Sequence, residues 1–132
     1  MTGYLDQNTA SPSPIFIQIR NLPDDIASGT YDVYIYALGG HSGKGGEYTV
    51  GNVGPKFFVP GGAEDNGPNT GPDFKEAKGT DPTYGADDYG NYIRFQGFTG
   101  GVVTITGTNF FMSNTGDPRA NINGIQIVAT GP

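Results

Sequence analysis

The sequence predicts an all-β protein, an antiparallel β-sandwich of jelly-roll type with one long loop rich in glycine and aspartate. Short runs of apolar residues alternating with polar ones recur along the chain, separated by glycine-rich turns. Glycine or proline interrupts nearly every window that is long enough to sustain a helix. The 23 glycines and 10 prolines make up a quarter of the 132 residues, but 8 tyrosines and 8 phenylalanines indicate a folded domain, because disordered chains are poor in aromatics.

The first half of the chain contains two firm strand predictions. The chain length predicts one β-sandwich domain over residues 1–132, in which the polar residues 1–13 form an extended lead-in. Ile15–Ile19 is the first strand, with its three isoleucines on one face. A turn beginning at Asn21 leads into a second strand at Gly29–Ala37, and we expect these two strands to pair as antiparallel neighbours.

The Gly29–Ala37 strand is the longest run of period two, and its composition predicts a central strand. Because side chains alternate along a strand, its residues divide between two faces. The core face carries Tyr31, Val33, Ile35 and Ala37, and the outer face carries Asp32, Tyr34 and Tyr36. Two tyrosines beside a carboxylate are unusual on a surface that only contacts water.

A glycine-rich loop at residues 38–46 precedes strands predicted at Glu47–Val53 and Lys56–Val59. This loop is superficially similar to phosphate-binding loops. Such loops need Gly-Lys-Ser/Thr at the start of a helix, and no helix is predicted here. The sequence therefore gives no support to a nucleotide site.

Residues 61–89 contain almost no aliphatic side chains and are predicted to form one long loop. The loop is either a solvated insertion or a segment that lines a ligand site or wraps a structural calcium ion. Hard oxygen ligands suited to calcium are Asp65, Asp81, Asp87 and Asp88, together with Asn66 and Asp73. Their spacing does not match an EF-hand, so both interpretations stay open.

The second half predicts four more strands, at Asn91–Gly97, Gly101–Thr108, Phe110–Met112 and Ile122–Ala129. In the first of them, Ile93 and Phe95 face opposite to Tyr92, Arg94 and Gln96. In the last, Ile125 and Ile127 alternate with Gln126 and Val128.

Composition excludes several classes of function. The chain has no cysteine, which excludes disulfides, thiolate metal sites and a cysteine nucleophile. A net charge of −6 argues against nucleic acid as a partner, because phosphates require clustered Lys and Arg. No apolar run approaches the roughly 20 residues of a membrane-spanning helix, so membrane insertion is not expected. Residues 1–6 show no signal peptide, and the sequence leaves open whether the chain is part of an exported protein.

The sequence does not predict an enzyme. His41 is the sole histidine and lies in the glycine-rich loop, so neither a zinc cluster nor a histidine-based triad is indicated. No Gly-x-Ser-x-Gly nucleophile motif occurs. Adjacent carboxylates such as Asp87 and Asp88 point to opposite faces of an extended segment and do not by themselves form an acid/base pair.

Four segments carry a resemblance to a known family. They are Leu22-Pro23, Gly29–Tyr36, Gly90–Phe95 and Asn123–Val128, in that order. The set resembles a bacterial secreted β-sandwich module of the galactose-binding-like kind, over residues 4–128. The resemblance implies a jelly-roll fold, non-catalytic binding of a polysaccharide or other glycan, and a secreted or cell-surface location as part of a larger exported protein.

The same resemblance implies further strands upstream of residues 3–6, close to where the given sequence begins. Three alternatives stay open: the sheet has an open edge, the edge is filled by another strand, or the chain is a trimmed module. An open edge predicts self-association. The competing function is therefore a structural subunit of an extracellular assembly that pairs through this edge.

Tyrosine is the predicted sugar-binding residue, because sugars stack their C–H faces on aromatic rings and the chain has no tryptophan. If their strands share a sheet, Tyr34, Tyr36, Tyr92 and Arg94 form one patch, with Asp32 and Arg94 supplying hydrogen bonds. The alternative is that these tyrosines pack under the 61–89 loop or against a second sheet. A second candidate is a rim cluster of Tyr84, Asp87, Asp88, Tyr89 and His41.

Overall fold

The computed structural model of the chain describes residues 5–6, 14–37, 46–60, 74–77, 89–109 and 120–131. These residues form ten strands and one short helix. The strands of the first half and the helix are β1 (Leu5–Asp6), β2 (Ile15–Arg20), α1 (Asp24–Ala27), β3 (Thr30–Tyr36), β4 (Gly46–Val50) and β5 (Val53–Pro60). The strands of the second half are β6 (Tyr89–Gly90), β7 (Tyr92–Phe98), β8 (Val102–Asn109), β9 (Asn121–Ile122) and β10 (Gly124–Gly131).

The strands form two main sheets that enclose one hydrophobic core. One sheet has the order β10-β3-β7 and the other the order β2-β8-β4-β5-β6, while β1 and β9 form a separate pair. The pairing is antiparallel except between β5 and β6. The prediction of an all-β antiparallel sandwich is confirmed, and its jelly-roll type stays a prediction.

Strand β3 is central to the smaller sheet, as its alternation predicted. Its core face is confirmed, because Tyr31, Val33, Ile35 and Ala37 are each at most 1% exposed. From the other sheet, Tyr48 and Ile105 are among the side chains that complete the core. One face of β3 therefore holds the sandwich together and leaves the opposite face for other contacts.

The predicted pairing of the first two long strands is wrong. Strand β2 pairs with β8, where Ile17 lies opposite Ile105, whereas β3 lies in the other sheet between β10 and β7. The connection between β2 and β3, which contains α1, crosses from one sheet to the other. Hydrogen bonds from Gly100 N to Ala27 O and from Leu22 N to Gly101 O hold it against the β7–β8 turn. The isoleucines of β2 therefore meet β3 across the core and not at its edge.

The remaining boundaries agree in part with the predictions. The strand predicted at 47–53 ends at Val50, and a turn at Gly51–Asn52 separates it from β5. Within the lead-in, Leu5–Asp6 pairs with β9. The predicted strand at 110–112 lies outside the described residues, as does most of the 61–89 loop apart from Phe74–Ala77 and Tyr89.

Lys56 links the two sheets beside the candidate site. It extends from β5 toward β7, where its Nζ donates a hydrogen bond to the Arg94 carbonyl. The same Nζ lies 4.9 Å from the ring centroid of Phe95, a cation–π geometry. This contact fastens the backbone of β7 to the larger sheet directly behind Arg94.

Candidate functional site

The outer face of the smaller sheet brings together the tyrosines of β3 and β7. In the antiparallel register, Tyr34 lies opposite Arg94 and Tyr36 opposite Tyr92, so all four side chains project from the same face. The condition on which the predicted patch depended, that the two strands share a sheet, is therefore met. The three tyrosines are half-buried and not sealed in the core.

The three phenol rings are contiguous because the Tyr92 ring contacts those of both Tyr34 and Tyr36, and we call this compact set the tyrosine row (Tyr34, Tyr92 and Tyr36). The ring centroids of Tyr34 and Tyr92 are 5.9 Å apart, and those of Tyr92 and Tyr36 are 5.7 Å apart. The two pairs of ring planes are tilted by 44° and 41°. These separations lie within the range for favourable aromatic pairs, so the rings support one another in a fixed arrangement.

A phenylalanine from the long loop extends the row at the end where Tyr36 lies. The Phe74 ring meets the Tyr36 ring edge to face, with 5.5 Å between centroids and an interplanar angle of 85°. Phe74 is 71% exposed, a high fraction for a large apolar side chain. The contact places an exposed aromatic ring beside the tyrosine row.

Phe74 is held in place by the segment that it begins, which we call the edge segment (Phe74–Ala77). This segment runs along β7 through a parallel bridge between Glu76 and Tyr92. Hydrogen bonds of 2.8 Å from Ala77 N to Tyr92 O and of 2.9 Å from Asn91 N to Lys75 O fasten its backbone. The edge segment approaches so closely because the neighbouring strand residue, Gly90, has no side chain.

Asp32 is the buried anchor of the face. Arg94 donates to Asp32 Oδ2 from Nε at 2.9 Å and from Nη2 at 2.6 Å, and the Gly97 amide donates to Oδ1 at 3.0 Å. Gly97 has a φ of 78°, which suits the irregular register between β3 and β7 at this point.

The predicted role of Asp32 in contacting a ligand is revised by this geometry. Its side chain is only 4% exposed, against 33% for Arg94, and both of its oxygens accept hydrogen bonds from the protein. Asp32 therefore orients Arg94, whose guanidinium lies 5.7 Å from the Tyr34 ring centroid and continues the tyrosine row at its other end.

Strand β10 contributes one polar side chain that the sequence analysis did not select. Gln126 lies opposite Tyr34 in the register and accepts a 2.7 Å hydrogen bond from the Tyr36 hydroxyl. Gln126 is exposed and places an amide group next to the rings. Its alternation with Ile125 and Ile127 was the signal that places it on the outer face.

Local electrostatics favour the neutral phenol of Tyr92. Burial first, and then the neighbouring Glu76 carboxylate and the phenols of Tyr34 and Tyr36, raise the pKa of Tyr92 above its usual value, although Arg94 acts in the opposite direction. The hydrogen bond to Asp32 is the largest influence on Arg94 and raises the pKa of the guanidinium. The Glu76 carboxylate contributes to raising the pKa of both Tyr92 and Arg94.

Apart from Tyr89 in β6, the rim cluster and the calcium ligands lie outside the described residues. This applies to Tyr84, His41, Asp65, Asp81, Asp87 and Asp88, and their roles stay predictions. Across the described parts of the chain, no group of three or more His, Cys, Asp or Glu side chains is arranged to hold a metal ion. Over the same residues, no helix has the length and apolar character needed to cross a membrane.

Comparison of the chain with protein-family models, with curated proteins and with solved structures found no match. The case for a function therefore depends on the geometry of the outer face itself.

Proposed function

We propose that this chain is a non-catalytic carbohydrate-binding module of a secreted or cell-surface protein, and that the tyrosine row is its glycan-binding surface. The observation that supports this proposal is the arrangement of three half-buried tyrosine rings on the outer face of a sheet whose other face is core, with the Tyr92 ring in contact with those of both Tyr34 and Tyr36.

Such a row offers what a sugar needs from a protein. The C–H faces of a pyranose are apolar and stack on aromatic rings, whereas its hydroxyl groups need hydrogen-bond donors and acceptors. Arg94 and Gln126 flank the rings and carry amide and guanidinium groups of that kind. Both are held by hydrogen bonds within the protein, which lowers the entropy lost on binding.

The tyrosine row also leaves apolar surface of the protein exposed to solvent. Half-buried aromatic side chains on the outside of a sheet, with the exposed Phe74 beside them, form a contiguous apolar patch. Patches of this type, rimmed by polar residues, are typical of binding surfaces. The net charge of −6 is compatible with an uncharged ligand.

The test is affinity electrophoresis in gels that contain soluble polysaccharides. The retardation of the wild type is compared with that of Tyr36→Ala. Phe16→Ala is the matched control, because Phe16 is an aromatic residue that is 65% exposed on the other sheet. We expect the wild type and Phe16→Ala to be retarded equally by at least one polysaccharide, and Tyr36→Ala to lose about tenfold or more in affinity. Equal retardation of all three proteins contradicts the proposal.

A second function, a structural subunit that assembles through an open sheet edge, is favoured by one observation. Strand β10 is an edge strand of the smaller sheet over Gly124–Gly131, and this strand contains neither a charged residue nor a proline. Among the described residues, no strand pairs with its outer side. Long uncharged edges of this type template pairing with another chain.

Light scattering after size-exclusion chromatography distinguishes this second function. If β10 pairs with a second copy, the wild type elutes as a dimer or larger species, and Ala129→Lys, at an exposed position of β10, converts it to a monomer. Ser28→Lys, at an exposed position outside the strands, is the control and leaves the assembly intact. A monomer at all concentrations contradicts the assembly function and leaves glycan binding unaffected.

A further inference from the structure

We infer that two copies of this chain form a closed two-fold dimer, in which β10 pairs with β10 and β2 pairs with β2 of the second copy. This inference rests on the second function proposed above, assembly through an open sheet edge, and adds the partner and the strands that join. It follows from the positions of β2 and β10, from the apolar side chains that they leave exposed and from their charge.

Strands β2 and β10 are edge strands of different sheets and border the same side of the sandwich, which we call the open flank (β2 and β10). Strand β2 leads through α1 into β3, the neighbour of β10 in the other sheet, and α1 contacts both β3 and β10. Because Thr30 lies opposite Gly131, β10 ends where β3 begins. Strands β2 and β10 therefore both run toward the end of the sandwich that α1 occupies.

The opposite side of the sandwich is bridged between its sheets. Lys56 on β5 donates to the Arg94 carbonyl on β7, and the edge segment runs along β7 through the bridge between Glu76 and Tyr92. On the open flank, no strand within the described ranges pairs with the outer side of β2 or of β10. The outward backbone groups of these two strands can therefore pair with added strands.

The open flank also exposes side chains that face the core. On β2, Ile17 lies opposite Ile105 of β8, and on β10, Ile125 lies opposite Ile35 of β3. Ile105 and Ile35 are 0% exposed, whereas Ile17 and Ile125 are only partly buried. The apolar layer between the sheets therefore reaches the surface along this flank. Strands added to both edges would extend this layer and bury the isoleucines, which is favourable.

A second copy is the partner that fits both edges at once. A single added strand pairs with one sheet and leaves the other edge open. A partner that pairs with both needs two edge strands that run in the same direction at the spacing of two packed sheets, about 10 Å. A copy related by a two-fold axis perpendicular to the sheets has this arrangement by symmetry. Each edge strand then meets its own counterpart in the antiparallel sense.

The charges of the two strands permit this pairing. Arg20 is the only charged residue of β2 and β10, and it lies at the end of β2. An antiparallel joint places the two Arg20 side chains of the dimer at opposite ends of the β2 pair. The chain as a whole has a net charge of −6, so its charged surfaces repel those of a second copy, whereas the open flank does not.

The alternation of each strand restricts the register of the joint. Opposite residues of an antiparallel pair point to the same face, and a slip of one residue would turn the isoleucines outward. The two-fold axis must therefore pass beside one residue of each strand, which lies opposite itself in the second copy. The outer faces of the two smaller sheets then form one surface, with the tyrosine rows of both copies on the same side of the dimer.

Cysteine scanning tests the joint, since the chain has no cysteine of its own. Each residue from Ile125 to Val128 of β10 and from Phe16 to Ile19 of β2 is replaced in turn by cysteine, and disulfides formed with a mild oxidant are detected by non-reducing electrophoresis. We expect the wild type to be a dimer by light scattering. One position in each strand should give a covalent dimer, because only the residue at the axis brings its Cβ atom within disulfide range of its counterpart. Glu76→Cys, at an exposed position on the opposite side of the sandwich, is the control and stays a single chain on the gel.

A double variant tests whether the dimer is closed. It combines the cross-linking position of β10 with that of β2. In a closed dimer both disulfides join the same two copies, so the product keeps twice the mass of one chain. Separate joints through β10 and β2 would give a ladder of longer products, which overturns the closed dimer but supports assembly through sheet edges.

The remaining outcomes separate this inference from the function on which it rests. Cross-linking that is missing from β2 or from β10 overturns the closed dimer, and the assembly function stays supported if the wild type is still larger than one chain. A wild type that is monomeric at all concentrations overturns both. Neither result affects glycan binding by the tyrosine row.

Discussion

Replacing Gly90 by alanine tests whether the edge segment lies against β6 and β7 as described. A Cβ atom at Gly90 would lie 2.8 Å from both Ala77 Cα and Ala77 Cβ, and closer still to the Ala77 amide nitrogen. These contacts are mostly with backbone, which has no alternative rotamer. The edge segment must therefore move away from β7, which strains the hydrogen bond from Ala77 N to Tyr92 O.

The size of the effect follows from the cost of overpacking. Inserting a methyl group into a packed site typically lowers the free energy of unfolding by about 1–3 kcal/mol. For a domain of this length, we expect the midpoint of thermal unfolding to fall by about 4 °C for each kcal/mol, and thus by about 4–12 °C. Urea denaturation followed by circular dichroism measures the free energy, with an unchanged m-value as the sign that only native-state stability has changed.

Gly101→Ala is the matched control for Gly90→Ala. A Cβ atom at Gly101 meets only Ala27 Cβ, at 3.9 Å, an ordinary van der Waals contact. Its stability should stay within about 0.5 kcal/mol of the wild type. In the double variant Gly90→Ala/Ala77→Gly, one of the three close contacts is removed, so we expect a partial recovery relative to the sum of the single changes. If Gly90→Ala is as stable as Gly101→Ala, the close approach of the edge segment is refuted.

Two further predictions concern buried and half-buried tyrosines. Tyr48→Phe removes the 2.7 Å hydrogen bond from the fully buried hydroxyl to Asn121 O. We expect the free energy of unfolding, measured by urea denaturation, to fall by about 1 kcal/mol. A variant as stable as the wild type would show that this bond contributes nothing. The pKa of Tyr92 is raised in the folded state, so as pH rises through 10 this phenol loses its proton first in the unfolded chain. The contribution of the phenol to folding stability is therefore fully present below pH 10 and is lost as pH rises through the folded pKa. Absorbance at 295 nm in an alkaline titration, taken as the difference between the wild type and Tyr92→Phe, should show ionisation above pH 10, and a midpoint below 10 contradicts it.

The faces of the strands were predictable from the sequence, whereas their partners were not. The alternation in β3 separates Val33 and Ile35 from Tyr34 and Tyr36, since period two alone decides which side chains share a face. Pairing depends on how the chain turns, and the connection through α1 carries the chain to the opposite sheet. A sequence of apolar alternations looks the same whether the next strand lies beside it or across the core.

The candidate site was predictable to the same extent. Tyr34, Tyr36, Tyr92 and Arg94 come from two strands of clear alternation, and only the sharing of a sheet had to be observed. The burial of Asp32 was not predictable, because it depends on the irregular register near Gly97, which brings a backbone amide to the carboxylate. The contact of Phe74 with Tyr36 joins residues that are far apart in the chain, so no local pattern indicates it.

Strand β3 separates two tasks within seven residues, since Tyr31, Val33 and Ile35 pack into the core, whereas Tyr34 and Tyr36 reach the outer surface beside the buried Asp32. Substitutions at the outward positions Tyr34 and Tyr36 are therefore expected to leave the buried side chains of β3 in place. Under the proposed glycan-binding function, varying these two positions together with Tyr92 and Gln126 would change the binding surface on an unchanged backbone.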